Sequence, residues 1–305
     1  MKKKIIIVSS IFSIFLLLLV GSYSLKVNSI PKLFIPNPGQ EMPEINYEFI
    51  ADKNGLPAEA AVYKFILPDN PEEQAAKLSK IFGFVTSPKF DASTQKYISK
   101  IENEKDKKWF TYEATSGHWA YQDMNALSDI NPSNIPADKD AIAIVKKYLE
   151  ETGLLPDRFK DVKVVHQSSG DKTTGDYRVI YKDLYFYPTI DNTSILGVSR
   201  MIVSVGKDAQ IIAVNKYYKD YQQYKTVKLK SVDTAYEDVK ANRASNSIDP
   251  TAKSAKIKEV KLAYWEDAGS IKEQPYLQPV WVFTGEAIVE YNKVVTFDAI
   301  VPAIE

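Results

Sequence analysis

The first residues constrain this chain most. Lys2, Lys3 and Lys4 precede an apolar run from Ile5 to Val20, broken only by Ser9, Ser10 and Ser13. A basic cluster, an apolar stretch and small residues after it (Gly21, Ser22, Ser24) make an export signal. The lysines remain on the cytoplasmic side, which places Leu25 onward outside. Ser22 and Ser24 could flank a cleavage site. A helix over Ile5–Tyr23 would also rise about 28 Å, near the thickness of a hydrocarbon core, so an uncleaved single-pass anchor is the favoured alternative. The expectation is a cell-membrane protein with its C-terminal part outside, or a secreted one if the signal is removed.

Whatever lies beyond that segment must fold by packing alone. The chain has no cysteine, which excludes disulfides, thiolate chemistry and a cysteine-linked lipid. Of its residues 45% are apolar and 12% aromatic, too many for a disordered chain. Basic and acidic residues balance at 39 each. That argues against nucleic acid as a partner, which favours a basic excess.

Residues 25–44 contain Pro31, Pro36, Pro38 and Pro43 and read as a stiff stalk. Three units come after it, at 45–126, 138–228 and 229–305. In the first, Ala61–Leu67 reads as a strand. Asn70 then caps a helix with Pro71 at its first position, and Gly83 ends it. Lys108–Ala114 and His118–Met124 flank Thr115-Ser116-Gly117 as a hairpin. In the second, Asp138 caps a helix striped by Ala141, Ile144, Val145, Tyr148 and Leu149, which Gly153 and Pro156 close. Strands come next over 162–167, 177–187, 198–205 and 210–217. In the third, Ser231 caps a helix carrying Val232, Ala235 and Val239, with strands at 257–265, 279–284 and 294–300. The expected fold is α+β: tandem units of one helix packed on a small antiparallel sheet, behind an N-terminal membrane segment.

The second unit carries DAIAIVKKYLEETGLLP, YRVIYK and GVSRMIVSVGKDAQIIAV. A helix with apolar residues at four-residue spacing, then strands, then a closing hairpin of form V-x-V-x-x-D-x-x-I resembles the PepSY (peptidase propeptide and YpeB) pattern. The usual glycine of that turn is Ala209 here. SVDTAYEDVKA, KLAYWED and YLQPVWVF in the third unit resemble a degenerate second copy. The tandem order behind one membrane segment is similar to the YycH/YycI extracytoplasmic regulators of Gram-positive bacteria. The resemblance implies a non-catalytic module that inhibits, chaperones or senses a protein partner.

No catalytic constellation is legible. The chain has two histidines, His118 and His166, without metal-ligand spacing or H-E-x-x-H. There is no G-x-S-x-G and no glycine-rich phosphate loop, so no catalytic residue, metal or cofactor is expected. Glu72-Glu73 and Glu150-Glu151 are helix neighbours that diverge by about 100°. The function expected is therefore that of an extracytoplasmic, non-enzymatic regulatory or binding protein of the cell envelope. Two alternatives stand beside it. A binder of a cell-wall polymer or peptide would use Tyr217, Tyr221 and Tyr224 as ligand contacts. An envelope hydrolase would need His118 or His166 in a pocket, within hydrogen-bond reach of a serine or carboxylate.

Overall fold

A computed structural model describes residues 29–36, 45–103, 105–130, 132–155, 158–171 and 173–305. The export or anchor segment, Pro38, Pro43 and Pro156 lie outside the described residues. Residues 29–36 carry neither helix nor strand. The chain divides into a unit over 1–33 and a second over 34–305. Among the described residues, every helix and strand belongs to the second unit.

Helix formation obeys local chemistry. α1 (Pro71–Ile81) opens with proline and has Glu72 and Glu73 in its first turn, where acids offset the helix dipole. Asn70 holds the cap position in a left-handed conformation, φ 48°, and its side chain makes no capping bond. α2 (Met124–Leu127) is one turn, capped by the Asp123 carboxylate accepting from the Ala126 N–H. α3 (Asp138–Glu151) buries Ala141, Val145 and Leu149 completely. Ala137, not Asp138, is its cap; Asp138 is the first helical residue, and its carboxylate is taken up by neighbouring cations. α4 (Val232–Lys240) starts at Ser231, whose hydroxyl accepts from the Thr234 N–H, and it buries Val232, Ala235 and Val239.

The strands are β1 (Asn46–Phe49), β2 (Glu59–Phe65), β3 (Lys89–Asp91), β4 (Lys96–Glu102), β5 (Lys107–Glu113) and β6 (Trp119–Asp123). Then come β7 (Phe159–Asp171), β8 (Asp176–Ile190), β9 (Thr193–Gly197), β10 (Met201–Val205) and β11 (Ile211–Lys216). The last are β12 (Tyr221–Lys228), β13 (Ser245–Asn246), β14 (Ser254–Glu266), β15 (Tyr276–Ile288) and β16 (Val294–Pro302).

These strands overturn the expected architecture. They do not form tandem units of a helix on a small antiparallel sheet. Among the described residues they join into one mixed system of sixteen strands, with few helices. Its path runs β12-β2-β15-β14-β9-β8-β10-β11-β6-β5-β4-β3, with β7 on β8, β1 on β14, β16 on β15 and β13 on β16. Three pairings make it continuous. β9 is antiparallel to β8 and parallel to β14. β2 lies between β12 and β15. β1 runs parallel to β14, pairing Asn46 with Ser254. Local hydrophobic patterns carry no trace of such distant partners. No helix among the described residues is long and apolar enough to cross a membrane.

Hydrophobic packing is concentrated in three places. α1 and α3 cover one face of β4–β6, β8, β10 and β11, over Phe110, Tyr121, Leu184, Phe186, Val203 and Val214. α4 packs against Ile257, Trp281, Phe283 and Phe297. A smaller cluster of Phe65, Ile190, Ile195, Tyr264, Ile271 and Leu277 lies where the two parts of the sheet meet.

Gly197 ends β9 at φ +88°, and a Cβ there would stand 2.0 Å from the Glu266 carbonyl oxygen. That carbonyl accepts the Val198 N–H at 3.0 Å. Gly197→Ala is expected to lower stability by at least about 2 kcal/mol, from the disfavoured φ and the clash together. An unchanged urea midpoint would contradict this.

Candidate functional site

Tyr217, Tyr221 and Tyr224 are not gathered into one groove. Tyr217 comes directly after β11; its ring centroid is 6.3 Å from that of His118 and 5.8 Å from the Arg200 guanidinium. Tyr221 meets Tyr63 at 5.2 Å and Arg158 at 4.8 Å. Tyr224 is exposed and meets Tyr276 at 5.2 Å. Side chains alternate along β12, so Tyr224, three residues beyond Tyr221, faces the opposite side of the sheet. Tyr63 and Tyr276 confirm it: Tyr276 pairs with Lys64, so the two rings lie on opposite faces.

A buried charge cluster lies where the β5–β6 turn, the β11–β12 connection and the end of β14 converge. Glu266 and Lys219 are both fully buried. Glu266 Oε1 accepts the Lys219 N–H at 2.7 Å, and it lies 3.8 Å from both Lys219 Nζ and His118 Nε2. Lys219 Nζ donates to the Asp267 carbonyl at 2.5 Å. Beside them, Asp220 is 3.3 Å from Arg158 and 3.4 Å from Lys216. Arg158 also lies 4.7 Å from the Tyr218 ring centroid. Burial holds the Lys216 and Lys219 ammonium groups below the usual lysine range and pushes the Tyr218 phenol well above its own. Ser116 Oγ accepts the His118 N–H at 3.2 Å, a bond that shapes the turn and leaves the imidazole unengaged with any serine. Sequence reasoning missed this cluster, because isolated charges near strand ends normally face water.

His166 does reach a carboxylate. Its Nε2 is 2.8 Å from Asp138 Oδ1, which also accepts from Lys182 Nζ at 2.5 Å. Hydrogen bonds from Lys182 and then His166 hold the Asp138 carboxyl below its ordinary range. The pair is half exposed on open surface at the start of α3. Ser204 donates to Asp183 at 2.5 Å, but on the opposite face of β8 from Lys182 and His166. The Ser204–Asp183 pair and the His166–Asp138 pair are therefore separate, and among the described residues no serine joins His166. Among the described residues, no group of three or more His, Asp or Glu is placed to hold a metal.

The face of β4–β6, β8, β10 and β11 opposite α1 and α3 lies outside the hydrophobic core described above. Register places Ile98, Thr111, Ala120, Asn215, Ile202 and Tyr185 in a row across six strands. All are half-buried except Asn215, which is buried with its Oδ1 unpartnered. Exposed Trp109, under Lys100, and exposed Tyr187, stacked on Tyr185 at 6.2 Å, flank the row. The alternation Tyr181, Tyr185, Tyr187 in β8 is the sequence signal for this face.

No protein-family model matches the chain, and no curated protein matches it. Solved structures offer distant likenesses. An uncharacterized protein from Eubacterium rectale aligns at TM-score 0.44 and 9% identity, over 85% of this chain and 89% of its own. The YpeB C-terminal domain of Bacillus megaterium aligns at TM-score 0.30 and 9% identity, over 76% of this chain and 98% of its own. Neither likeness is close enough to decide a family or a function.

Proposed function

We propose that this is an extracytoplasmic, non-catalytic binding protein of the cell envelope that modulates a membrane or secreted protein partner. The observation that carries the reading is the sheet face opposite α1 and α3. It presents half-buried Ile98, Ala120, Ile202 and Tyr185 among polar Thr111, Gln122 and Asn215, edged by exposed Trp109 and Tyr187, the mixed apolar, aromatic and polar surface of a non-obligate interface. The export-type N-terminus and the PepSY-like pattern around 138–285 agree with this reading and supply its location. The polymer-binding alternative draws only on separate tyrosines, Tyr224 being the most exposed of the three.

A photo-crosslinking residue at 185 or 202 in the full chain, expressed in a Gram-positive envelope, is expected to capture one discrete protein. The same residue at position 50, exposed and held beside β14 by the Ile50 N–H donating to the Ile257 carbonyl, is not. Equal capture from 50 and 185 would overturn the assignment of the face. Ile202→Lys should abolish capture from 185 while lowering the unfolding free energy by about 1–2 kcal/mol, as for a half-buried strand residue, with the chain still folded.

A further inference from the structure

The β15–β16 hairpin closes through Val289–Lys293 with the same backbone as the β10–β11 hairpin. Asp208 and Tyr291 stand at φ 52°, ψ 33° and φ 59°, ψ 25°. Each is followed by a second left-handed residue, Ala209 at φ 64° and Asn292 at φ 56°. Aspartate tolerates that conformation; an aromatic residue rarely adopts it. In β10–β11 the turn is tied down, since Asn134 Nδ2 donates to the Asp208 carboxylate at 2.7 Å and the Asp208 N–H donates to the Asn134 carbonyl at 3.1 Å. In β15–β16 the same position holds Tyr291, 98% exposed. Ile288 and Val294 pair directly across the end of the hairpin, 41% and 55% exposed, while Val289 faces the core.

Neither backbone preference nor burial accounts for a tyrosine here. The tip is convex, so it offers a rigid partner no groove. A soft layer suits it better: tyrosine rings settle at the headgroup level of a bilayer, with the ring in the apolar boundary and the hydroxyl in water. Exposed Lys293 and Lys253 stand behind the tip, Lys253 donating its N–H to the Ile288 carbonyl at 3.1 Å. Glu290 and Asp249 are the acids beside them. We propose that Tyr291, Ile288 and Val294 form a shallow finger that enters the headgroup layer of a bilayer. This rests on the envelope location proposed above.

The chain has no cysteine, so an environment-sensitive fluorophore on Val294→Cys reports from one place. Val85→Cys, 95% exposed elsewhere, is the control. The full chain would be incorporated into phosphatidylglycerol–phosphatidylcholine vesicles carrying a headgroup nitroxide. Quenching at 294 is expected to exceed that at 85 by at least about twofold, and Tyr291→Asp should remove the difference. Equal quenching at the two positions overturns the finger. Self-quenching of the 294 label between copies without lipid quenching assigns the tip to a second copy, and overturns it too. Failure of the chain to float with vesicles overturns both the anchorage and the finger; flotation without quenching at 294 overturns the finger alone.

Discussion

Glu266→Ala is expected to remove about 3–5 kcal/mol of stability, the usual effect of leaving a buried charge without its partner. The alanine would withdraw the acceptor of the Lys219 N–H and the carboxylate 3.8 Å from its ammonium. The ammonium would keep the Asp267 carbonyl, the Phe65 ring 5.1 Å away and weaker attraction from the Asp267, Glu113 and Glu273 carboxylates, in a place closed to water. Glu266→Gln preserves an acceptor and should cost less. Combining Glu266→Ala with Lys219→Met removes both charges and should recover much of the loss. Urea unfolding monitored by tryptophan fluorescence reads all three variants. A Glu266→Ala loss below about 1 kcal/mol would mean that the cluster is open to water.

Alkaline pH should produce the other large effect. Tyr112, Tyr121, Tyr218 and Tyr264 are buried, and burial pushes each phenol upward, Tyr121 up to about 12. A group whose folded pKa is raised contributes stability that is complete below its unfolded value. That stability is lost as pH rises through the folded value, here between about 10 and 12. For Tyr121 alone the shift corresponds to roughly 3 kcal/mol. Lys216 and Lys219 act the other way and at lower pH: burial lowers their pKa values from 10.5, so the unfolded chain binds more protons below about 10.5 and stability rises with pH there. The phenols outnumber them. Stability should therefore hold to about pH 9 and fall steeply above about 10, and Tyr121→Phe should make the fall shallower. A fall of the same depth in that variant would remove Tyr121 from the explanation.

Some of this fold was legible in the residues and some was not. α1 and α4 announced themselves through proline or serine at their starts, and all three longer helices through apolar stripes, which depend only on near neighbours. Asp138 shows the limit of that logic: a residue suited to capping is recruited instead by Lys182 and His166 from two strands. β9 looked like loop, since Asp191 and Asn192 signal a turn and the strand after it is short. The continuity of the sheet was hidden for the same reason, because the partners of β9 and β1 lie on β14, far along the chain. For the tyrosines, residue type was readable and facing was not. β12 was not among the expected strands, and its simple alternation sends Tyr224 to the opposite side from Tyr221.

The pairing of β1 with β14, and of β2 with β12 and β15, also sets an order of assembly. If the chain crosses a membrane N-terminus first, β1 and β2 emerge early and wait for partners that emerge near the end. Contacts of such long sequence separation form slowly, and strands without partners invite association with other chains. Maturation outside the cell would then be a single late event, completed when β14–β16 arrive. Chains truncated before β14 should be degraded or aggregate instead of persisting as a folded fragment.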